Sequence, residues 1–157
     1  MNTNHSQHHI GHTLFILGAF LMMFSITLLS PVRQTILYAF GAQEVLDSSN
    51  QARTRFSVEP LSANSLLMSA AQKKAEHMAK NQYFSHIAPD GTEPWDYFKE
   101  VGYSYELAGE NLAITNESVD KVIDGWLNST THKENLLNPK YVHTGIGIAK
   151  YGTYKNH

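Results

Sequence analysis

Three short segments of this 157-residue chain combine titratable side chains with residues that favour turns. They are Tyr83-Phe84-Ser85-His86, Gly109-Glu110-Asn111-Leu112-Ala113 and Ser129-Thr130-Thr131-His132-Lys133-Glu134-Asn135. Two imidazoles and a carboxylate form the ligand set of many catalytic zinc sites, with a fourth position left to water. His86, Glu110 and His132 supply those groups, but separations of 24 and 22 residues make no local metal motif. Glu110 has apolar neighbours, Leu107, Ala108, Leu112 and Ala113, which predicts burial. A carboxylate there must find partners or carry a proton. Each residue also has a purely structural role open to it. His86 fits a helix C-terminus, where the dipole favours a cation, Glu110 fits an acceptor of backbone amides, and His132 fits a carbonyl cap. Ser85 is a poor nucleophile for His86, because adjacent side chains rarely reach the required geometry. Neither a G-x-S-x-G elbow nor an H-E-x-x-H helix is present.

The elements that must position these residues are legible from periodicity. Asn64 is placed to cap a helix running to about Asn81. In it Leu67, Ala71, Ala75, Met78 and Ala79 recur at helical spacing, with Gln72, Lys73, Glu76 and Lys80 on the other side. Pro89-Asp90-Gly91 reads as a turn. A short helix follows over Glu93–Val101, with Pro94 in its first turn and Gly102 just past its end. Asn116 is the expected cap of a helix carrying Val119, Val122, Ile123, Trp126 and Leu127 as one apolar stripe. That stripe is expected to pack on the Ala71/Ala75/Met78 helix or on the sheet. His143–Tyr151 alternates, with Ile146 and Ile148 on one side, and reads as a strand. Helices first and a late, short strand signal indicate an α+β fold.

Composition divides the chain. Arg33 is the only formal charge in residues 1–42, leaving 11 of the 12 basic residues and all 14 acidic ones beyond it. Net charge of -2 and a pI near 6.5 remove the basic footprint of a nucleic-acid binder. The absence of cysteine excludes disulfides, thiolate metal sites and a cysteine nucleophile. Mean hydropathy of -0.31 excludes a polytopic membrane protein. Yet Thr13–Ser30 carries no charge over 18 residues, roughly 27 Å as a helix, which matches a bilayer core. Pro31 is expected to stop or kink it. A second apolar stretch, Gln34–Gly41, follows, and Glu44–Phe56 is moderately helical. Residues 1–12 form a polar leader in which His5, His8, His9 and His12 offer a metal-binding tail as a lesser alternative. Residues 13–41 read as a membrane anchor, or as a signal-like segment with Ala39 and Gly41 near a cleavage site. The leader has no lysine or arginine, which favours the uncleaved anchor. Arg33, Arg53 and Arg55 follow the segment, so a positive-inside count alone puts the remainder in the cytoplasm.

The runs AAQKKAEHMAKNQYFSH, GENLA, W-x-x-S-x-x-H-K-x-N-L-L-N-P-x-Y and TGIGIA, in that order, closely resemble the CAP superfamily. This is the group of cysteine-rich secretory, antigen 5 and pathogenesis-related proteins, here in the short bacterial SCP-like form. The resemblance covers roughly Glu44 to Tyr151, nearly all of the third segment of the chain, residues 44–157. It implies a three-layer α-β-α sandwich with a small antiparallel sheet between helices, preceded here by one transmembrane helix. It also implies a cleft lined by two histidines and two acidic residues that binds zinc or another divalent metal in some members. His86, Glu110 and His132 match three of those positions. Ser129, or its neighbour Asn128, occupies the place of the second acid, so the tetrad is incomplete, and Glu134 matches no tetrad position. The family usually has a further strand after TGIGIA, which this chain is expected to lack.

The resemblance implies export, so the domain is expected outside the cell membrane on a single-pass anchor, against the charge count. Fold membership yields no single reaction. The favoured function is a tethered module that binds an envelope ligand (a lipid, a wall polymer or a protein) through a cleft of His86, Glu110, Ser129 and His132. The alternative is a hydrolase of envelope or peptide substrates, with His86 and His132 holding a metal or moving protons and Glu110 as base.

Overall fold

The computed structural model describes residues 30–150. The chain divides into two compact units, residues 1–37 and 38–157, and the first contributes only the start of a helix to what is described. The leader expected over 1–12, the anchor as far as residue 29 and the chain beyond Lys150 lie outside the described residues. Among those residues no helix is long and apolar enough to cross a membrane.

Proline tolerates the first turn of a helix, where its missing amide has no partner to lose. Pro31 sits there, in α1 (Ser30–Arg55). The two stretches expected separately, Gln34–Gly41 and Glu44–Phe56, are one helix. It ends where Ser57 turns left-handed at φ 58° and Val58 N donates to Arg53 O. Arg53 is 0% exposed. Its guanidinium donates to four carbonyls, those of Glu59, Leu136, Asn138 and Tyr141, at 2.7–3.2 Å. Burial lowers its pKa. Arg53 is therefore an internal fastener of the folded domain.

Asn64 caps α2 (Ser65–Asn81), its Oδ1 accepting from Leu66 N and Leu67 N. The buried face is Leu67, Ala70, Lys74, Ala75 and Met78. Beyond it, α3 (Pro94–Glu100) starts with Pro94 and is followed by Gly102 at φ 76°. Asp96 accepts from Glu93 N at its start. α4 (Val119–Leu127) begins after Ser118, not Asn116; the residues before it are held by Thr115 Oγ1, which accepts from Glu117 N. α5 (Thr130–Leu136) follows directly, with Ser129 at its cap.

The apolar stripe of α4 packs elsewhere than expected. Ile123, Val119, Trp126 and Leu127 close on Ala52 of α1 and Leu136 of α5. The short link between α4 and α5 keeps the two together, and α1 supplies the third wall. Trp126 is only half-buried, its indole N–H donating to Leu112 O at 3.1 Å. A second cluster, Met78, Tyr83 and Ala88 with Phe84 and Leu112, lies between α2 and the loops that carry His86 and Glu110.

The sheet also departs from expectation. β1 (Ser62–Ala63) pairs with β2 (His143–Thr144) in parallel, Ser62 opposite His143 and Ala63 opposite Thr144. The chain does not continue as a strand from Gly145, because its amides go to α2. Ile146 N donates to Met68 Sδ, and Ile148 N donates to Gln72 Oε1 at 3.0 Å. Gln72 Nε2 returns a bond to Ile148 O, so one side-chain amide does the work of a neighbouring strand. Such an approach requires glycine. A Cβ on Gly145 would collide with the backbone of Leu67 and Met68, and one on Gly147 with that of Ala71 and Gln72.

Candidate functional site

His86 is delivered by a loop pinned on both sides. Tyr83 and Ala88 are buried against Met78, and the turn that follows is closed by Ala88 N to Thr92 O and by Gly91 at φ 89°. Between these anchors the imidazole is held outward, its side chain 56% exposed. Glu110 comes from the opposite side on an irregular segment. Gly109 makes that approach feasible: a Cβ there would press on the hydroxyl of Tyr141 and the amide of Asn135. Asn135 Nδ2 in turn donates to Glu110 O and to Asn111 Oδ1, both at 3.2 Å. The expected burial of Glu110's neighbours is only partial, since Leu107 is 49% exposed. What removes the carboxylate from water is a polar framework rather than an apolar sleeve.

At the centre, Nδ1 of His86 lies 2.6 Å from Oε1 of Glu110. The ammonium of Lys74 lies 2.9 Å from each carboxylate oxygen and 2.5 Å from the carbonyl oxygen of His86. Lys74 is 5% exposed and the Glu110 side chain 16%. A carboxylate paired with an ammonium only accepts hydrogen bonds, so Nδ1 of His86 must donate. In the neutral ring that fixes the tautomer and leaves Nε2 of this mostly exposed side chain without a hydrogen-bond partner among the described residues.

His132 does not join this pair directly. Its Nδ1 lies 2.8 Å from Ser129 Oγ, and its carbonyl accepts from Asn111 Nδ2 at 2.9 Å. The link between the two halves of the predicted site is therefore the side-chain amide of Asn111, next to Glu110, on the backbone carbonyl of His132. Ser129, expected with Asn128 as a candidate for the second acidic place, is here the partner of His132. A shallow groove bordered by Leu127, Lys133, Glu134 and Leu137 includes none of the four predicted cleft residues.

Lys74 escaped the sequence reading, and Asn111 and Asn135, within the segments singled out, were given no role there. Lys74 had a signal. Leu67, Ala70, Ala71, Lys74, Ala75 and Met78 follow the spacing of one helix face, and a lysine in such a stripe must have a partner.

The fit of a divalent ion can be judged from the donor set. Among the described residues, no group of three or more histidine and acidic side chains is placed to hold one. Nδ1 of each histidine is committed to a hydrogen bond, and the carboxylate already faces an ammonium. The Glu110 carboxylate and the two Nδ1 atoms, as arranged, do not form a metal site, while Nε2 of each ring carries no hydrogen bond among the described residues.

A helical α+β domain with a His–Glu pair set between GENLA and the loop after α2 defines the class. The sequence profile of the cysteine-rich secretory protein family, CAP, matches residues 46–157, and the chain belongs to that family. Among curated proteins it is 33% identical to YkwD of Bacillus subtilis over 111 residues, which is 71% of this chain and 43% of that one. YlbC of the same organism, described as an uncharacterized membrane protein, is 32% identical over 112 residues, 71% of this chain and 32% of its own length. Among solved structures, an extracellular SCP-domain protein from Bacillus anthracis superimposes with a TM-score of 0.69 at 29% identity, covering 73% of this chain and 38% of that one. The chain spans less than half the length of these relatives.

Proposed function

We propose that residues 44–157 form an extracytoplasmic CAP module, anchored in the cell membrane by residues 13–41, that binds an envelope ligand at His86. The observation that carries this reading is the contrast in exposure along one hydrogen-bonded chain. Lys74 and Glu110 are withdrawn from solvent, while the imidazole they orient is open to it. Nε2 of a neutral His86 accepts from a hydroxyl or amide, groups that wall polymers, lipid headgroups and peptides all present. Membrane attachment draws support from the charge-free run Thr13–Ser30 and from the description of one relative as a membrane protein. Placement outside the membrane draws support from the extracellular description of the solved relative. The three-layer α-β-α sandwich belongs to the same proposal.

Binding is favoured over hydrolysis because most of Glu110's acceptor positions are already taken. Both oxygens face the Lys74 ammonium, and one also holds His86. Ser129 and His132 are in contact, but among the described residues no acid orients the second nitrogen of that ring.

The test is co-sedimentation of the full chain with purified cell-wall polymer and, separately, with vesicles of envelope lipid, followed by mass analysis of the supernatant. Retention that falls in His86→Ala, with no fragments released, is expected. Fragments that disappear in His86→Ala would move the assignment to hydrolase. A reporter fused after His157 that is active only in the cytoplasm would overturn the placement.

A further inference from the structure

We infer that Lys74 is the resident cation of this site, holding Glu110 and hence His86 in place, so that the cleft is organised without a divalent metal. The assignment depends on the site's geometry alone and stands or falls apart from the identity of the ligand.

Lys74 projects from the buried face of α2, between Ala70 and Met78. A lysine is rarely placed there, because desolvating an unpaired ammonium costs several kcal/mol. Here its donors are used. The ammonium reaches both oxygens of Glu110 and the carbonyl oxygen of His86. It therefore joins three elements: α2, the loop of His86 and the segment of Glu110. The same contacts stabilise a carboxylate that is largely out of water, which a bound dication would otherwise do.

The arrangement also excludes a metal from that point. An ion coordinated by Glu110 would sit beside a buried positive charge that cannot leave without unpacking α2. If it took Nδ1 of His86 as well, it would displace the 2.6 Å hydrogen bond that orients the ring.

The experiment follows the His86 imidazole by NMR in the full chain, held in detergent and stripped with chelator, with zinc alone as the probe. In the wild type, the Nδ1–H proton bonded to Glu110 should be present after stripping. It should persist when zinc is added beyond the number of histidines, while the leader histidines report uptake. In Lys74→Met the carboxylate loses its cation, and zinc should shift the His86 signals with affinity at least about tenfold above wild type. Lys74→Arg, which keeps the charge, should behave as wild type. Zinc that removes the wild-type Nδ1–H signal at one equivalent would overturn the inference, whether or not Lys74→Met folds. A native-like spectrum of Lys74→Met with no gain in zinc response would also overturn it.

Discussion

Lys74 and His86 hold the same carboxylate from opposite sides, one from the interior and one from solvent. Removing the carboxylate strands the buried ammonium, whereas removing the imidazole leaves the buried pair intact. Glu110→Ala is expected to cost about 3–5 kcal/mol. His86→Ala is expected to cost under about 1 kcal/mol, because the ring is mostly exposed and its pairing is screened. Urea unfolding of both variants checks this, and equal midpoints would contradict it. That His86 and Glu110 meet was legible because each stands in a motif whose order can be matched, whereas His132, from a third such motif, pairs with Ser129 instead. The burial of Arg53 was not legible, since a long cation is read by default as a surface residue, and only its contacts with the distant Leu136, Asn138 and Tyr141 reveal it. Lys74 was passed over although its place in the apolar stripe of α2 is visible in the sequence.

The helices were the most legible elements, because caps and proline positions are local chemistry: Asn64, Pro94 and Gly102 acted where they were expected to. The last segment was legible only in part. Its alternation is real, but the even spacing of Gly145 and Gly147 records proximity to α2 and not membership of a ladder. The same reasoning separates glycines that are needed from one that is not. Gly147→Ala would force the segment away from Ala71 and should destabilise by about 1–3 kcal/mol or more. Gly125, in the interior of α4, has no left-handed φ, and a methyl group added there would meet nothing within 4 Å. Gly125→Ala should therefore stabilise by about 0.4–1 kcal/mol. Thermal unfolding of the two variants in parallel is the check, and shifts of the same sign would contradict it.

At the scale of the whole molecule, acid sensitivity follows from two aspartates, Asp90 in the turn after His86 and Asp96 in α3. The backbone amide of Thr92 lowers the pKa of Asp90, and the ammonium of Lys99 with the amide of Glu93 lowers that of Asp96. Groups with depressed folded values stabilise the fold above the ordinary aspartate range and lose that contribution as pH falls through the folded value. The unfolding temperature should thus stay level from neutrality to about pH 5 and decline below about pH 4. A midpoint that rises on acidification over that interval would contradict this. The division of the chain into a charge-free N-terminal run and a charged domain was legible from composition. The packing of α4 on α1 and α5 was not, because an amphipathic stripe shows that a face is buried without naming its partner.

The central claim is that an internal lysine–glutamate pair fixes an outward-facing histidine. The most direct measurement is the tautomer of His86, read from long-range nitrogen–proton couplings in the wild type and in Glu110→Gln. The account predicts a single Nδ1–H tautomer in the wild type, with a downfield hydrogen-bonded proton that is lost in Glu110→Gln. An Nε2–H tautomer in the wild type, or a spectrum unchanged by the substitution, would contradict it.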